Sequence, residues 1–279
     1  MLYLPKPISD FLSAADIEPV SGGMSAADVY RCKKPGEGED AVFYLKTEAW
    51  RKSVADEHLL YRWLYEGKRL PVPEPLFCLE EEIPVCRAGE IPEAMDSNGA
   101  RRGYLLIREA RGEIPCTGKY YADPARLAGL AAEGIRLLRQ VDADNCPVRV
   151  CLDDKLKSAQ ERLRRGGYRE LDPLVPYTKD FKDHAEIFDF LVRNQPEIEP
   201  VFTHGDYCLD NFFTDGEHVT AFIDFGNGGV GDGYQDIALC VREFIQDCPE
   251  AVPEFYHRLG IREVDEEKLR YYILLDEMF

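Results

Sequence analysis

The 25 residues from Val201 to Phe225, VFTHGDYCLDNFFTDGEHVTAFIDF, constrain the chain more than any other stretch. A short apolar run, Val201 to Thr203, delivers a polar cluster, His204-Gly205-Asp206, and Asn211 follows five residues after Asp206. Phe212 to Thr214 and Val219 to Ile223 have the residue types of two short strands. The Asp215-Gly216 pair between them is a strong short-range signal for a tight hairpin turn. Asn211 enters this hairpin and Asp224 leaves it, so both lie at its open end, with Asp206 on the loop just before. One turn of chain therefore gathers three oxygen-bearing side chains.

An Asp, an Asn five positions on and then Asp-Phe-Gly is the spacing found in kinases. There the first Asp accepts the proton of the substrate hydroxyl, and the Asn and second Asp hold magnesium. Mg²⁺ takes hard oxygen ligands and usually combines one or two carboxylates with water and phosphate oxygens, which an Asp/Asn pair suits. Upstream residues supply the other parts in order. Val20 to Lys33 carries Gly22-Gly23 and Ser25, and glycines let backbone N–H groups come close to a phosphate. Ala41 to Thr47 reads as a strand bearing Lys46. A helix over Ala49 to Gly67 follows, with Val54, Leu59, Leu60, Trp63 and Leu64 at roughly helical spacing and Glu57 as the acid to pair with Lys46.

Between these segments, Leu70 to Pro75 is forced into extended geometry by its prolines. Glu80 to Arg102 reads as a long surface loop. Gly103 to Glu109, GYLLIRE, reads as a strand buried on both faces. The chain is expected to cross from one lobe to the other at Ala110-Arg111-Gly112. That divides a nucleotide-binding lobe, 1–110, from a catalytic and acceptor-binding lobe, 111–279. The second lobe is mainly helical. Its helices are expected over Asp123–Gln140, with Asp123 as N-cap before Pro124, and over Cys151–Arg165, closed by Gly166-Gly167. The segment Leu171–Asp180 reads as loop and His184–Asn194 as helix. Three closing helices follow over Tyr234–Asp247, Pro249–Leu259 and Asp265–Met278. The fold class is α+β, a two-lobed kinase-like arrangement with a β-rich first lobe.

Charge narrows the partners. Lys plus Arg number 34 and Asp plus Glu 52, a net of −18, which disfavours nucleic acid and favours a polycationic small molecule. Nine cysteines, an odd number without a C-x-x-C pair, argue against a disulfide framework or zinc site and for a reducing compartment. No signal-type h-region opens the chain, and no apolar run of roughly 18 residues occurs, so a cytoplasmic protein away from membranes is expected. Nothing in the sequence specifies an oligomeric state.

These residues carry a resemblance. SGGMSAADVYR, YLK, the helix with Glu57 and RWL, LPVPEP, HGDYCLDN, IDFGNGGVGDGYQDIALCVRE and YYILLDEMF are similar, in order and over nearly the whole chain, to the bacterial aminoglycoside 3′-phosphotransferases. The resemblance implies ATP-dependent phosphorylation of an aminoglycoside hydroxyl, with kanamycin-type acceptors, and hence antibiotic resistance; GTP is an alternative donor. It places Ser25 over the ATP phosphates, Tyr44 near adenine, and Arg108 to Ala110 along the adenine edge. Lys46, held by Glu57, would contact the phosphates. Asp206 would be the base or hydroxyl-orienting group, and Asn211 and Asp224 the Mg²⁺ ligands. Asp247, Asp276, Glu277 and the carboxylate of Phe279 would bind the acceptor's ammonium groups. His204 and Asp236 would hold the loop. Two positions depart from the family pattern: Asn227 stands where relatives often carry a basic residue, and 171–180 holds PLVPYT, flanked by Glu170, Asp172 and Asp180, where relatives tend to place acids. The alternatives are a kinase of another small hydroxyl compound, such as choline or a sugar, and a nucleotide-binding module without catalysis. A metal-dependent hydrolase lacks the His or Cys cluster it would need.

Overall fold

The computed structural model describes residues 2–20, 27–36, 41–82, 101–166, 168 and 170–279. The first part is a five-stranded antiparallel sheet: β1 (Asp16–Pro19), β2 (Asp28–Lys34), β3 (Ala41–Ala49), β4 (Pro75–Glu82) and β5 (Arg101–Arg108), in spatial order β1-β2-β3-β5-β4. A short helix, α1 (Lys6–Phe11), precedes it, and α2 (Lys52–Glu66) joins β3 to β4.

The alternation along β5 explains why GYLLIRE is buried on both faces. Tyr104 and Leu106 join Ile8, Leu12, Cys32, Phe43 and Leu45 in a small core beneath α1. Leu105, pointing the other way, joins Leu60, Tyr61 and Leu64 of α2 in the large core that fills the rest of the molecule. Two expected boundaries move. The ladder between β3 and β5 continues to Ala49 opposite Arg102, and the Trp50 N–H reaches the Arg101 carbonyl at 2.9 Å, so α2 begins at Lys52 rather than Ala49. Likewise Glu80–Glu82 and Arg101–Arg102, expected in a surface loop, are paired strand. The interior of that expected loop, 83–100, lies outside the described residues.

The second part is mainly helical: α3 (Gly118–Tyr121), α4 (Pro124–Arg139), α5 (Leu152–Arg165), α6 (His184–Arg193), α7 (Tyr234–Asp247), α8 (Ala251–Leu259) and α9 (Glu266–Asp276). Asp123 caps α4 by accepting from the Arg126 N–H at 3.2 Å, as its position before Pro124 predicts. The apolar face Leu127, Leu130, Ala131 and Leu138 is buried against α8. Gly166 ends α5 with φ +74, while Gly167 lies outside the described residues. Within 171–180, expected to be loop throughout, Thr178–Asp180 forms one 3₁₀ turn.

Two β-ribbons lie among these helices. β6 (Pro200–Thr203) pairs with β9 (Gly229–Asp232), and β7 (Phe212–Thr214) pairs with β8 (Val219–Phe222). β9 has the composition GVGD and is not expected from strand propensity. It forms because Gly229 lets the backbone approach another strand of chain: a Cβ there would sit 2.8 Å from the Val148 carbonyl oxygen. The hairpin of β7 and β8 forms where Asp215-Gly216 predicts it, but its turn is longer than expected. The four residues 215–218 make the loop, closed by Asp215 N–H to His218 O at 3.2 Å, with Asp215 Oδ1 accepting from the N–H groups of Glu217 and His218. Among the described residues, no helix is long and apolar enough to cross a membrane.

Candidate active site

The β7/β8 ribbon does what its sequence suggests. The Ile223 N–H donates to the Asn211 carbonyl at 3.0 Å, which ties the entry and exit of the hairpin together. Asn211 also turns its amide nitrogen onto the main-chain oxygen of Asp206, 2.8 Å away, so its Oδ1 faces the other direction.

Asp224 leaves the ribbon in the left-handed region, φ +63, which costs a non-glycine residue on the order of 1 kcal/mol. Contacts from outside the ribbon hold it there. Its N–H donates to the hydroxyl of Tyr61 on α2 at 3.2 Å, and its carboxylate accepts from Lys46 Nζ at 2.8 Å. Tyr61 in turn meets Phe225 edge to face, with ring centroids 5.6 Å apart.

Lys46 is the meeting point of three elements. From β3 it reaches both carboxylate oxygens of Glu57 on α2, at 3.0 and 3.1 Å, and Asp224 after β8. Burial by itself would pull its ammonium down; the carboxylates of Glu57 and Asp224 outweigh it and hold the pKa above the usual lysine value. Burial pushes the Asp224 carboxyl up, but Lys46 outweighs that and keeps it below the ordinary range, hence ionised. Glu57, only 2% exposed, is pushed up to about 7 by burial against the pull of Lys46. The pairing of Lys46 with Glu57, expected from their order in the sequence, is present.

The loop bearing Asp206 is held from beneath by α7. The Asp236 carboxylate accepts from the N–H groups of His204 and Gly205, both at 2.8 Å. His204 is fully buried, and its Nε2–H donates to the Ile223 carbonyl at 2.8 Å. Gly205 has φ +82, and a Cβ there would lie 2.0 Å from the Asn227 carbonyl oxygen, so glycine is required. The Asp206 carboxyl is raised by burial and then by repulsion from Asp276. Cys208, two residues on, donates its thiol to Asp206 Oδ1 at 3.4 Å.

Of the residues expected at the adenine, Tyr44 lies half-buried in β3 opposite Ile107. Arg108 ends β5 with its side chain on Glu74, 2.6 Å away. The N–H groups of Arg108 and Glu109 are taken by the carbonyls of Glu74 and Val42, which leaves the N–H of Ala110 as the donor this segment presents. Ser25 and Gly22-Gly23 lie outside the described residues.

The expected acceptor-binding acids do not gather at one point. Asp276 forms an ion pair with Arg242 of α7. Glu277 is half-buried and raised by burial, then by Asp276, with a further contribution from Asp172 in the segment between α5 and α6. Asp247 is exposed at the C-terminal end of α7, where the helix dipole disfavours a carboxylate. The Phe279 main-chain oxygen accepts from Arg162 of α5, and the residue is 49% exposed. Asp180 pairs with Arg270 at 3.3 Å.

Four contributors are not apparent from the sequence reading: Tyr61, Arg242, Gln235 and Glu243. The Gln235 amide nitrogen donates to the Gly205 carbonyl at 2.5 Å, and Glu243 accepts from the Leu209 N–H at 2.7 Å. Each supports a loop that is distant in sequence, and no local pattern marks such a role.

The description of the Phosphotransferase enzyme family matches residues 16–272. An aminoglycoside 3′-phosphotransferase of Enterococcus faecalis is 36% identical over 287 aligned positions, covering 99% of this chain and 97% of that protein. Among solved structures, an aminoglycoside-3′-phosphotransferase of type VIII superposes with a TM-score of 0.77 at 24% identity, covering 98% of this chain and 97% of that one. An aminoglycoside phosphotransferase from Streptomyces rimosus, solved in complex with ADP and streptomycin, superposes with a TM-score of 0.72 at 22% identity, covering 97% and 95%. At those identities the two structures speak to the fold, which is the same.

Proposed function

The chain belongs to the phosphotransferase enzyme family, in its aminoglycoside 3′-phosphotransferase branch, and on that premise we propose that it transfers the γ-phosphoryl of ATP to the 3′-hydroxyl of an aminoglycoside and so confers resistance. The observation that carries the reading is the convergence on Lys46: Glu57 from one side and Asp224 from the other, with Asp224 tied through the ribbon to Asn211, and Asn211 to Asp206. That arrangement supports a reading of Lys46, on β3, as the cation for phosphate, and of residues 206–224 as the source of two oxygen donors for a metal and a carboxylate for a hydroxyl. The Streptomyces rimosus structure with the same fold holds ADP, in keeping with a nucleotide here.

The residues fit magnesium. Asp224 is ionised, and the Asn211 amide nitrogen is committed to the Asp206 carbonyl, which leaves its oxygen as the donor. Among the described residues, no group of three or more His, Cys, Asp or Glu side chains gathers as a metal cage; one carboxylate and one amide beside phosphate oxygens is the donor set Mg²⁺ usually accepts. Bound there, Mg²⁺ would neutralise charge on the transferred phosphoryl. Lys46 steadies the phosphates and is itself held by Glu57. Asp206 orients the acceptor hydroxyl and takes its proton late in the transfer. Ser25, Tyr44 and the 108–110 segment are assigned to the nucleotide. Asp247, Asp276, Glu277 and Phe279 are assigned to the acceptor, with residues 1–110 and 111–279 as the two lobes. The acids facing one another around Asp276 (Asp206, Glu277 and, beyond it, Asp172) support a polycationic acceptor rather than a neutral sugar. The cytoplasm, where Mg·ATP is available, is the proposed location.

The test is Asp206→Asn, assayed for ADP release with Mg·ATP and kanamycin. Turnover is expected to fall by about 10²–10⁴-fold while nucleotide affinity is retained. Near-wild-type turnover overturns the assignment of Asp206. A wild-type protein that phosphorylates choline or a simple sugar but none of kanamycin, neomycin and gentamicin overturns the choice of acceptor.

A further inference from the structure

Lys155, in the first turn of α5, is a half-buried cation whose hydrogen-bond partner is an amide. Its Nζ lies 3.1 Å from Gln235 Oε1. Gln235 and Asp236 are neighbours at the start of α7, and together they grip Gly205. Asp236 takes its N–H, and Gln235 Nε2 donates to its carbonyl at 2.5 Å. That carbonyl belongs to the peptide joining Gly205 to Asp206.

The chemistry of the three groups makes the arrangement directional. An ammonium carries three donors and no acceptor, so within a side-chain amide it donates only to the oxygen. With Oε1 fixed on Lys155, the Gln235 amide must present its NH₂ group to Gly205. Without the cation, the amide is free to reverse, and an oxygen facing the Gly205 carbonyl would repel it. Gln235 is 7% exposed, so water does not readily replace either contact. The groups facing the ammonium come from three other elements: Asp236 on α7, Asp276 on α9 and Asp206 on its loop. Burial nonetheless pulls the Lys155 pKa down to about 8, against those three carboxylates.

We propose that Lys155 is a positioning residue for phosphoryl transfer, acting through Gln235 to fix the Gly205–Asp206 peptide and thereby the aim of the Asp206 carboxylate. The inference rests on the reading of Asp206 as the group that orients the acceptor hydroxyl. It assigns to α5 a share in the rate of the chemical step.

Lys155→Met and Gln235→Glu test it, singly and combined. Each single variant is expected to lower kcat with Mg·ATP and kanamycin by about 10–100-fold, with acceptor KM within about 3-fold of wild type and nucleotide affinity unchanged. The double variant should be no worse than either single one. Gln235→Glu is the discriminating change, because it keeps an oxygen for Lys155 yet removes the donor to Gly205. Hydrogen exchange across residues 204–208 should quicken in both. Wild-type kcat in Gln235→Glu, or unchanged exchange across 204–208 in both variants, overturns the proposal. The exchange readout needs no acceptor, so it judges the hold of Lys155 even if Asp206→Asn proves active and the reading of Asp206 falls.

Discussion

At the scale of single residues, the molecule concentrates its electrostatic tension at Lys46. Removing that side chain leaves Glu57 buried without its cation and Asp224 without the contact that helps hold it at φ +63. Lys46→Ala is therefore expected to lower kcat/KM for ATP by about 10²–10³-fold, measured by steady-state kinetics, with a smaller change in acceptor affinity. Glu243 permits a cleaner titration. Its carboxyl is pushed up from 4.5 to about 7, first by burial and then by Asp210 and Asp247, against the Leu209 N–H bond and Arg242. A carboxyl that is harder to ionise in the fold contributes stability while both states hold the proton. It loses that contribution as pH rises from its unfolded value through its folded one. The melting temperature of wild type relative to Glu243→Gln should thus fall as pH climbs from about 4.5 to about 7 and level off above. The sequence discloses Lys46, Glu57, Asp206, Asn211 and Asp224 because each stands at a fixed distance from a turn or strand it identifies. Glu243 and Gln235 stay hidden because their partners, Leu209 and Gly205, are reached only once α7 has folded under the loop.

At the scale of elements, α7 is the support of the site. Asp236 in its first turn satisfies two buried N–H groups, so Asp236→Ala should destabilise the fold by about 2–5 kcal/mol, read from chemical denaturation. Asp236→Asn, which retains one acceptor, should recover part of that loss. The helices and the main hairpin are legible from periodicity and turn residues because those signals are local. The strands β4 and β9 are not, for different reasons. Charged Glu81 and Glu82 pair with Arg102 and Arg101 across a ladder whose strands are separated by residues 83–100, and β9 owes its place to the closeness that Gly229 allows beside Val148. Both depend on tertiary neighbours, which override weak propensity.

At the scale of the whole molecule, an excess of 18 negative charges gives long-range attraction for a polycation, and within it Asp276 repels both Asp206 and Glu277. The acceptor KM of a polyammonium sugar should rise steeply between low and physiological ionic strength, while the KM for ATP changes less. An acceptor KM indifferent to salt would contradict this. The way α2 is fastened has a further consequence. Its start packs against the sheet, where Gly103 leaves room for Val54 and Trp50. Farther along, Tyr61 bonds to Asp224, Leu60 and Leu64 enter the large core, and Trp63 lies against Phe202. A helix riveted on both sides has nowhere to swing, so the Glu57–Lys46 contact stays made. Among the described residues the pairing is thus part of the packed fold itself rather than something a separate contact has to assemble.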